Sequence, residues 1–279
     1  MPADPLAPLL ELPGVADAVG EARSAVDALL GHRVLRRRSA EVTAESALRG
    51  ARASAQLEGA GIELERLRGQ LLSGGTVEPH DRDARTGAVV NAAVRLHADL
   101  GQVLGSWRRS PAQALARLHV IAAADLVDDP DALGRPRAGS AYEDPLGLGP
   151  APDLLEVSAR LEGLSRVLLA TTAPAVVVAG VVHGELLALR AFGTVDGLVA
   201  RAAARLVLVD RGLDPKAVSA PEVGHVELGH EYEQAALAYV TGGPDGVAQW
   251  LVHSARAVAL GALEGRAVCE ALVRETPRA

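Results

Sequence analysis

The sequence has very few aromatic residues. Phe, Trp and Tyr make up 2% of its 279 residues, and Phe192 is the only phenylalanine. A core with so few rings must be built from Leu, Val and Ala, which suits close-packed helices better than a β-sandwich. Cys269 is the only cysteine, so no internal disulfide can form and a reducing, cytoplasmic setting is expected. No long basic stretch occurs. Arg36-Arg37-Arg38 reads as a solvated turn, and with a net charge of −7 no nucleic-acid partner is expected. The apolar run Ala173–Val182 has ten residues, too few to span a bilayer, so no membrane partner is expected either. The opening MPADPLAPLLELPG lacks a basic region, so it does not read as a secretory signal.

What the chain has is a hydrophobic content of 49%, enough for a sizeable core, in segments with helical spacing. Residues 1–14 read as an extended, proline-containing lead-in, and Glu21 to Leu35 as a first helix. Ser39 is placed to cap a helix over Ala40–Glu58 that Gly59 stops. Gly61 to Leu72 gives a short helix, Ser73-Gly74-Gly75 a turn, and Arg82 to Leu104 a longer helix. Ser110-Pro111 opens another helix that runs to about Val127. Residues 128–152, dense in Asp, Gly and Pro, form a long loop. Leu154 to Leu169 is helical. Ser219 and Glu222 have capping-box spacing for a helix Glu222–Val240. A last helix covers about Asp245 to Val273, with a break expected near Gly261 or Gly265. The valine-rich run 176–182 fits a buried strand by periodicity alone; its all-helical context makes it a buried helix. The expected fold is all-α. Residues 1–38 serve as lead-in and first helix, and one helical domain covers 39–275.

The organising stretch is 181–205. Two helices meet there at the short loop Ala191–Gly197, and Arg201 and Arg205 lie four residues apart on one face of the second. A helix N-terminus with nearby arginines can hold an anion. The plainer alternative is that Asp196 caps the helix and Phe192 is core.

At Arg190–Arg201 the chain reads R-A-F-G-T-V-D-G-L-V-A-R. This resembles the Fic (Fido) signature H-P-F-x-[D/E]-G-N-G-R-x-x-R, with Phe192, Gly197 and Arg201 matching. Further pieces of the resemblance occur in the family's order. Ser54-Ala-Gln-Leu-Glu58-Gly59 fits the inhibitory motif [S/T]-x-x-x-E-[G/N]. Leu118-His119, Gly134-Arg-Pro-Arg137, His183, Gly212-Leu-Asp, Glu231-Tyr232 and Gln249-Trp250-Leu251 resemble flanking segments. The resemblance covers roughly 39–270 and implies a single Fic-type helical domain with flanking N- and C-terminal helices. It has an inhibitory-type helix 40–58 and a motif loop and helix 190–211. It also implies ATP or another nucleotide with Mg²⁺ as ligand, AMP transfer to a hydroxyl of a partner protein, and nucleotide contacts from Phe192, Gly193, Thr194, Gly197, Arg201 and Arg205. Ser54 and Glu58 would be inhibitory, with Glu58 on Arg201. Ordinary surface charges are the alternative for that pair.

The departures fall on the chemistry. Arg190 stands at the catalytic histidine and cannot accept a proton. Thr194 replaces the magnesium ligand, Val195 a glycine, Asp196 the asparagine and Leu198 the first arginine. Catalytic candidates therefore reduce to Arg190, without competence as a base, and Asp196 in a new role. No metal site is expected: His225 and His230 are five apart, on different helix faces. His119 and His183 read as core histidines, Asp128-Asp129-Pro-Asp131 as a solvated turn, and Arg135 and Arg137 as solvent-facing or ligand-touching. The leading expectation is a degenerate Fic-fold protein that binds a nucleotide or a protein, with AMP transfer lost or altered. An active non-standard transferase and a helical scaffold are the alternatives. A protein partner would approach through 128–152, and self-association is left open.

Overall fold

Helices α1 to α11 cover Val15–Leu30, Ser39–Leu57, Leu64–Leu72, Ala84–Trp107, Pro111–Ala123, Leu154–Ala170, Ala175–Leu189, Asp196–Asp210, Pro221–Leu228, His230–Thr241 and Pro244–Glu275. The computed structural model describes residues 4–74, 76 and 84–275, and among them there is no strand. Gly75 and Arg82, expected in a turn and at a helix start, lie outside the described residues.

At the centre α7 packs along α8. The run AVVVAGVVHGELLAL is rich in β-branched residues that by propensity favour strand. It is helical because nearly every side of it is covered, and a helix apolar all round is stable only when buried. Helices α11, α10, α6 and α1 also touch α7, while α4, α5 and α2 pack on α8. Helix α1 lies along the 32-residue α11.

Several elements differ from those the sequence suggests. The first helix starts at Val15 rather than Glu21 and ends at Leu30, and a 3-10 turn at Arg33–Arg36 follows. The lead-in is not extended: Ala7–Glu11 is a 3-10 turn. The Asp4 carboxylate anchors it by accepting from Thr171 Oγ1 (2.7 Å), Thr172 N (2.5 Å) and Thr172 Oγ1 (2.8 Å). Ser39 is the first residue of α2 rather than its cap, a position that Arg38 takes, and Ser110 sits at the cap position of α5 without a side-chain capping bond. The expected helix over 222–240 is two helices, because Gly229 (φ 56°, ψ −127°) turns the chain where an L side chain would be strained. Ser219 and Glu222 are not a capping box. Ser219 Oγ donates to Asp214 (2.6 Å), and Glu222 accepts from Arg205 (2.8 Å). Helix α11 runs unbroken through Gly261 and Gly265. Those glycines serve close approach: a Cβ at Gly261 would lie 2.5 Å from the Ala220 carbonyl carbon. Small residues at crossings do here what aromatic rings do in other cores. No described helix is long and apolar enough to cross a membrane.

These packing assignments are testable by urea unfolding. Gly261→Val should cost at least about 2 kcal/mol by overpacking the α9–α11 crossing. Gly20→Ala, on the exposed face of α1 with nothing near its Cβ, should add about 0.5–1 kcal/mol.

Candidate functional site at the α7–α8 junction

The junction is a strained loop. Arg190 ends α7 in left-handed backbone (φ 43°, ψ 52°), and Val195 precedes α8 in the same region (φ 48°, ψ 25°). An L residue there costs about 1–2 kcal/mol, more for a β-branched side chain. Val195 thus keeps the backbone a glycine would take and buries its side chain at 1% exposure in return.

Asp196 is the first residue of α8. Its carboxylate oxygens accept from the N–H groups of Phe192 (2.9 Å) and Gly193 (2.8 Å), so it ties back the loop instead of capping the helix. Burial pushes its pKa up to about 7 against the pull of those two donors. Phe192 stacks on His119 at 4.4 Å and 7°. His119 Nδ1 accepts from Gly134 N (3.0 Å). The Gly193 carbonyl accepts from Glu143 N (2.8 Å), and Thr194 Oγ1 donates to Glu143 (2.9 Å).

One turn into α8, Arg201 is held from several sides. It donates to Ser54 Oγ (2.8 Å), Ser54 O (3.0 Å), Glu58 Oε1 (2.6 Å) and Tyr232 OH (3.2 Å). Its side chain is 1% exposed and that of Glu58 8%. The expected Glu58–Arg201 pair is therefore present, and Asp196, the rival acid, is engaged elsewhere. Glu58 caps the C-terminal end of α2 and reaches the N-terminal end of α8. A Cβ added to Gly197 would lie 2.0 Å from Glu58 Oε1, so this carboxylate fills the space above the first turn of α8. Tyr232 OH also bonds His183 Nε2 (3.0 Å), and His225 Nδ1 bonds His253 Nε2 (3.0 Å) beside it. His230 is exposed, away from His225.

Arg205 is not part of the loop pocket. It forms a second buried ion pair with Glu222 (2.8 Å) and donates to Ser46 Oγ (2.8 Å) and Ala217 O (3.0 Å). Burial alone would raise Glu222, but Arg205, then His97, hold it below the usual carboxylate range. Ser46, Ser54 and Glu58 make α2 the element that grips both arginines.

Arg190 is buried at 3% exposure. It donates to Gly149 O (2.7 Å), lies 3.2 Å from Asp144 and sits over the Tyr142 ring at 5.0 Å. Arg137 bonds the Arg190 carbonyl (3.1 Å), so it serves the loop, while Arg135 and Asp128, Asp129 and Asp131 are largely solvated. Glu143, Asp144 and Tyr142, unremarked in the sequence reading, line or fasten the site, and Tyr232 orients Arg201.

The space enclosed by Glu58, Leu187, Arg190, Asp196, Gly197 and the 143–148 segment is about 20 Å³, room for a water. An open cleft of about 360 Å³ adjoins it, with Glu58, Glu143, Asp144 and Arg85 as its charged walls. Magnesium-bound ATP does not fit this arrangement. Glu58 fills the space over the first turn of α8, Thr194 and Asp196 are already bonded, and carboxylates outnumber the cations Arg85 and Arg190. Among the described residues no group of three or more His, Cys, Asp or Glu is arranged to hold a metal ion.

Comparison with solved structures places the fold. The chain is similar to a Fic family protein from Desulfovibrio desulfuricans G20 (TM-score 0.72, 18% identity, 96% of this chain and 76% of that one). It is also similar to Fic-1 (aa134–508) from C. elegans (0.67, 15%, 92% and 73%). A third is a Fic domain containing signaling protein from Bacteroides thetaiotaomicron VPI-5482 (0.64, 12%, 94% and 100%). No family model and no curated sequence matches the chain. The chain has the Fic fold.

Removing the carboxylate in Glu58→Ala leaves a buried guanidinium short of its counter-charge, and urea unfolding should show a loss of about 3 kcal/mol. Acid should act more broadly. Burial lowers His97, His119 and His253 to about 4, and His183 and His225 well below their usual value. A histidine with a depressed folded pKa contributes stability that is fully present above about pH 6.5 and is lost as pH falls toward 4. Each can remove up to about 1.4 kcal/mol per pH unit in that window. Asp196, raised to about 7, and Glu227, raised by burial, work in the opposite direction against these five histidines. The unfolding midpoint in urea should therefore drop steeply between pH 6.5 and 4.5; a flat profile would show that the histidines are not held neutral.

Proposed function

We propose that this Fic-fold chain is a degenerate member of the Fic family that has lost AMP transfer and keeps the fold for binding, with access to the anion space set by Glu58. The observation that carries the reading is the Glu58 carboxylate, 2.6 Å from Arg201 and seated over Gly197. Arg190 supports it, because a buried guanidinium cannot take a proton and a missing general base costs about 10²–10⁴-fold. Leu198 supports it too, since a charge-assisted phosphate contact of about 1.5–3 kcal/mol has no donor there. When Glu58 withdraws, Arg201 and the free N–H groups of the first turn of α8 would receive an anionic group such as a nucleotide phosphate. A protein partner would meet the site from the 128–152 side, and the lone buried Cys269 suits a cytoplasmic setting.

One observation favours a second reading. Asp196, held near 7, has a proton affinity suited to a general base at neutral pH. An active transferase of altered chemistry would need it to leave both backbone donors.

The two readings separate in one experiment. Wild type and Glu58→Gly are incubated with radiolabelled ATP, magnesium and a lysate, and ATP binding is followed by calorimetry. The expected result is no label on any protein from either form, with ATP binding only to Glu58→Gly. Label that depends on Arg201 and disappears in Asp196→Asn would overturn the first reading in favour of the second. No binding by Glu58→Gly would remove the nucleotide half of the proposal.

A further inference from the structure

The 137–152 segment has no secondary structure, yet it forms one wall of the space beside α8. Its inner residues Glu143, Asp144, Pro145, Leu146 and Leu148 face Glu58, Asp196 and Gly197 there. Its fastening to the helices falls into two parts. The first half is held by backbone and side chains together: Arg137 N donates to Ala191 O (2.8 Å), Glu143 N to Gly193 O (2.8 Å) and Arg137 Nε to Arg190 O (3.1 Å). Arg85 and Thr194 add side-chain bonds to Glu143. The second half, 144–149, depends on Arg190. Its guanidinium reaches Gly149 O (2.7 Å) and Asp144 (3.2 Å), and Tyr142 lies under it and under Arg137 (5.0 and 5.4 Å). Asp144 in turn folds the segment on itself by accepting from Leu148 N and Gly149 N (2.9 Å each).

The strength of this fastening is unequal to that of the inner pair. Arg201 meets Glu58 where both are buried. Arg190 is 3% exposed but its carboxylate partner Asp144 is 22% exposed, and Arg190 Nε is buried with no partner. A buried cation with a half-wet counter-ion and an unmet donor is held less firmly than a fully bonded one. Of the apolar side chains of 143–149 only Leu148 is fully buried, with Leu146 packed half-buried against the core, so few other contacts resist its lifting.

We propose that 143–149 is a lid over the N-terminal end of α8 and that Arg190 is its latch. On this inference the residue at the head of the 190–201 stretch serves a mechanical purpose. It closes the site from outside, as Glu58 fills it from inside. Opening requires that Arg190 release Gly149 and Asp144, while the bonds at 137 and 143 hold one end and those of Ala151 N to Tyr142 OH (3.0 Å) and of Arg137 to Pro152 O (2.5 Å) hold the other. The lid stands apart from the nucleotide reading, because its opening can be measured with no ligand present.

The test uses two thiols in the full chain. Leu187 is buried and lines the space under the lid, so Leu187→Cys reports lid opening. Native Cys269, fully buried in α11, reports global opening. Labelling with a thiol reagent under native conditions is followed at both sites by mass spectrometry. Adding Arg190→Met, which keeps length and removes the charge and donors, should raise the rate at position 187 at least tenfold and leave that at 269 unchanged. Asp144→Asn should act in the same direction and serves if Arg190→Met does not fold. An unchanged rate at position 187, or equal increases at both sites in the folded variants, would overturn the latch.

Discussion

The structure depends on how a guanidinium is kept in the middle of a helical bundle. Arg201 lies on α8, the helix that packs against the apolar α7, and almost none of it meets water. A buried charge without a partner would cost several kcal/mol, more than a marginally stable fold can lose. The partners come from outside the central pair. Ser54 and Glu58 reach in from α2 and Tyr232 from α10, so meeting the needs of one side chain fixes where two peripheral helices dock. Arg205 repeats the device one turn along with Glu222 and Ser46. Gly50 lets α2 lie close enough to do both, since a Cβ there would be 2.7 Å from Arg205 Nη1.

The same contacts shape the site. Glu58 satisfies Arg201 by extending over the first turn of α8, so its carboxylate faces the N-terminal end of that helix. Stability and closure are thus linked, and an open site needs another anion to replace the carboxylate. Arg190 shows the same economy at the outer wall. Placed at the left-handed end of α7, it cannot serve as a base, and its reach lets it hold Gly149 and Asp144.

Much of this was legible in the sequence. The near absence of rings and the run of helical spacings gave the all-α class, and the S-x-x-x-E-G stretch gave the Glu58–Arg201 pair. What failed failed for physical reasons. Gly261 looks like a helix break to a local reading because its use, close approach to Ala220, is a long-range contact. Glu222 has capping spacing from Ser219, but a buried arginine claims it more strongly than free N–H groups do. Asp196 looks like a cap and closes a loop, because the nearest donors to its carboxylate lie before it in the chain. Glu143 and Asp144 carried no local signal beyond turn chemistry, and Tyr232 stood out only as part of a flanking segment; their contacts are set by packing between segments distant in sequence.

The claim that a single buried ion pair organises this fold is tested most directly by a double-mutant cycle. Urea unfolding of wild type, Glu58→Gln, Arg201→Met and the double variant gives the coupling energy between the two side chains. A dry, mutually dependent pair should couple by about 1–3 kcal/mol, with the double variant losing less than the two single losses combined. Coupling near zero, with additive losses, would mean that Glu58 and Arg201 are each held by other contacts and that their meeting organises nothing.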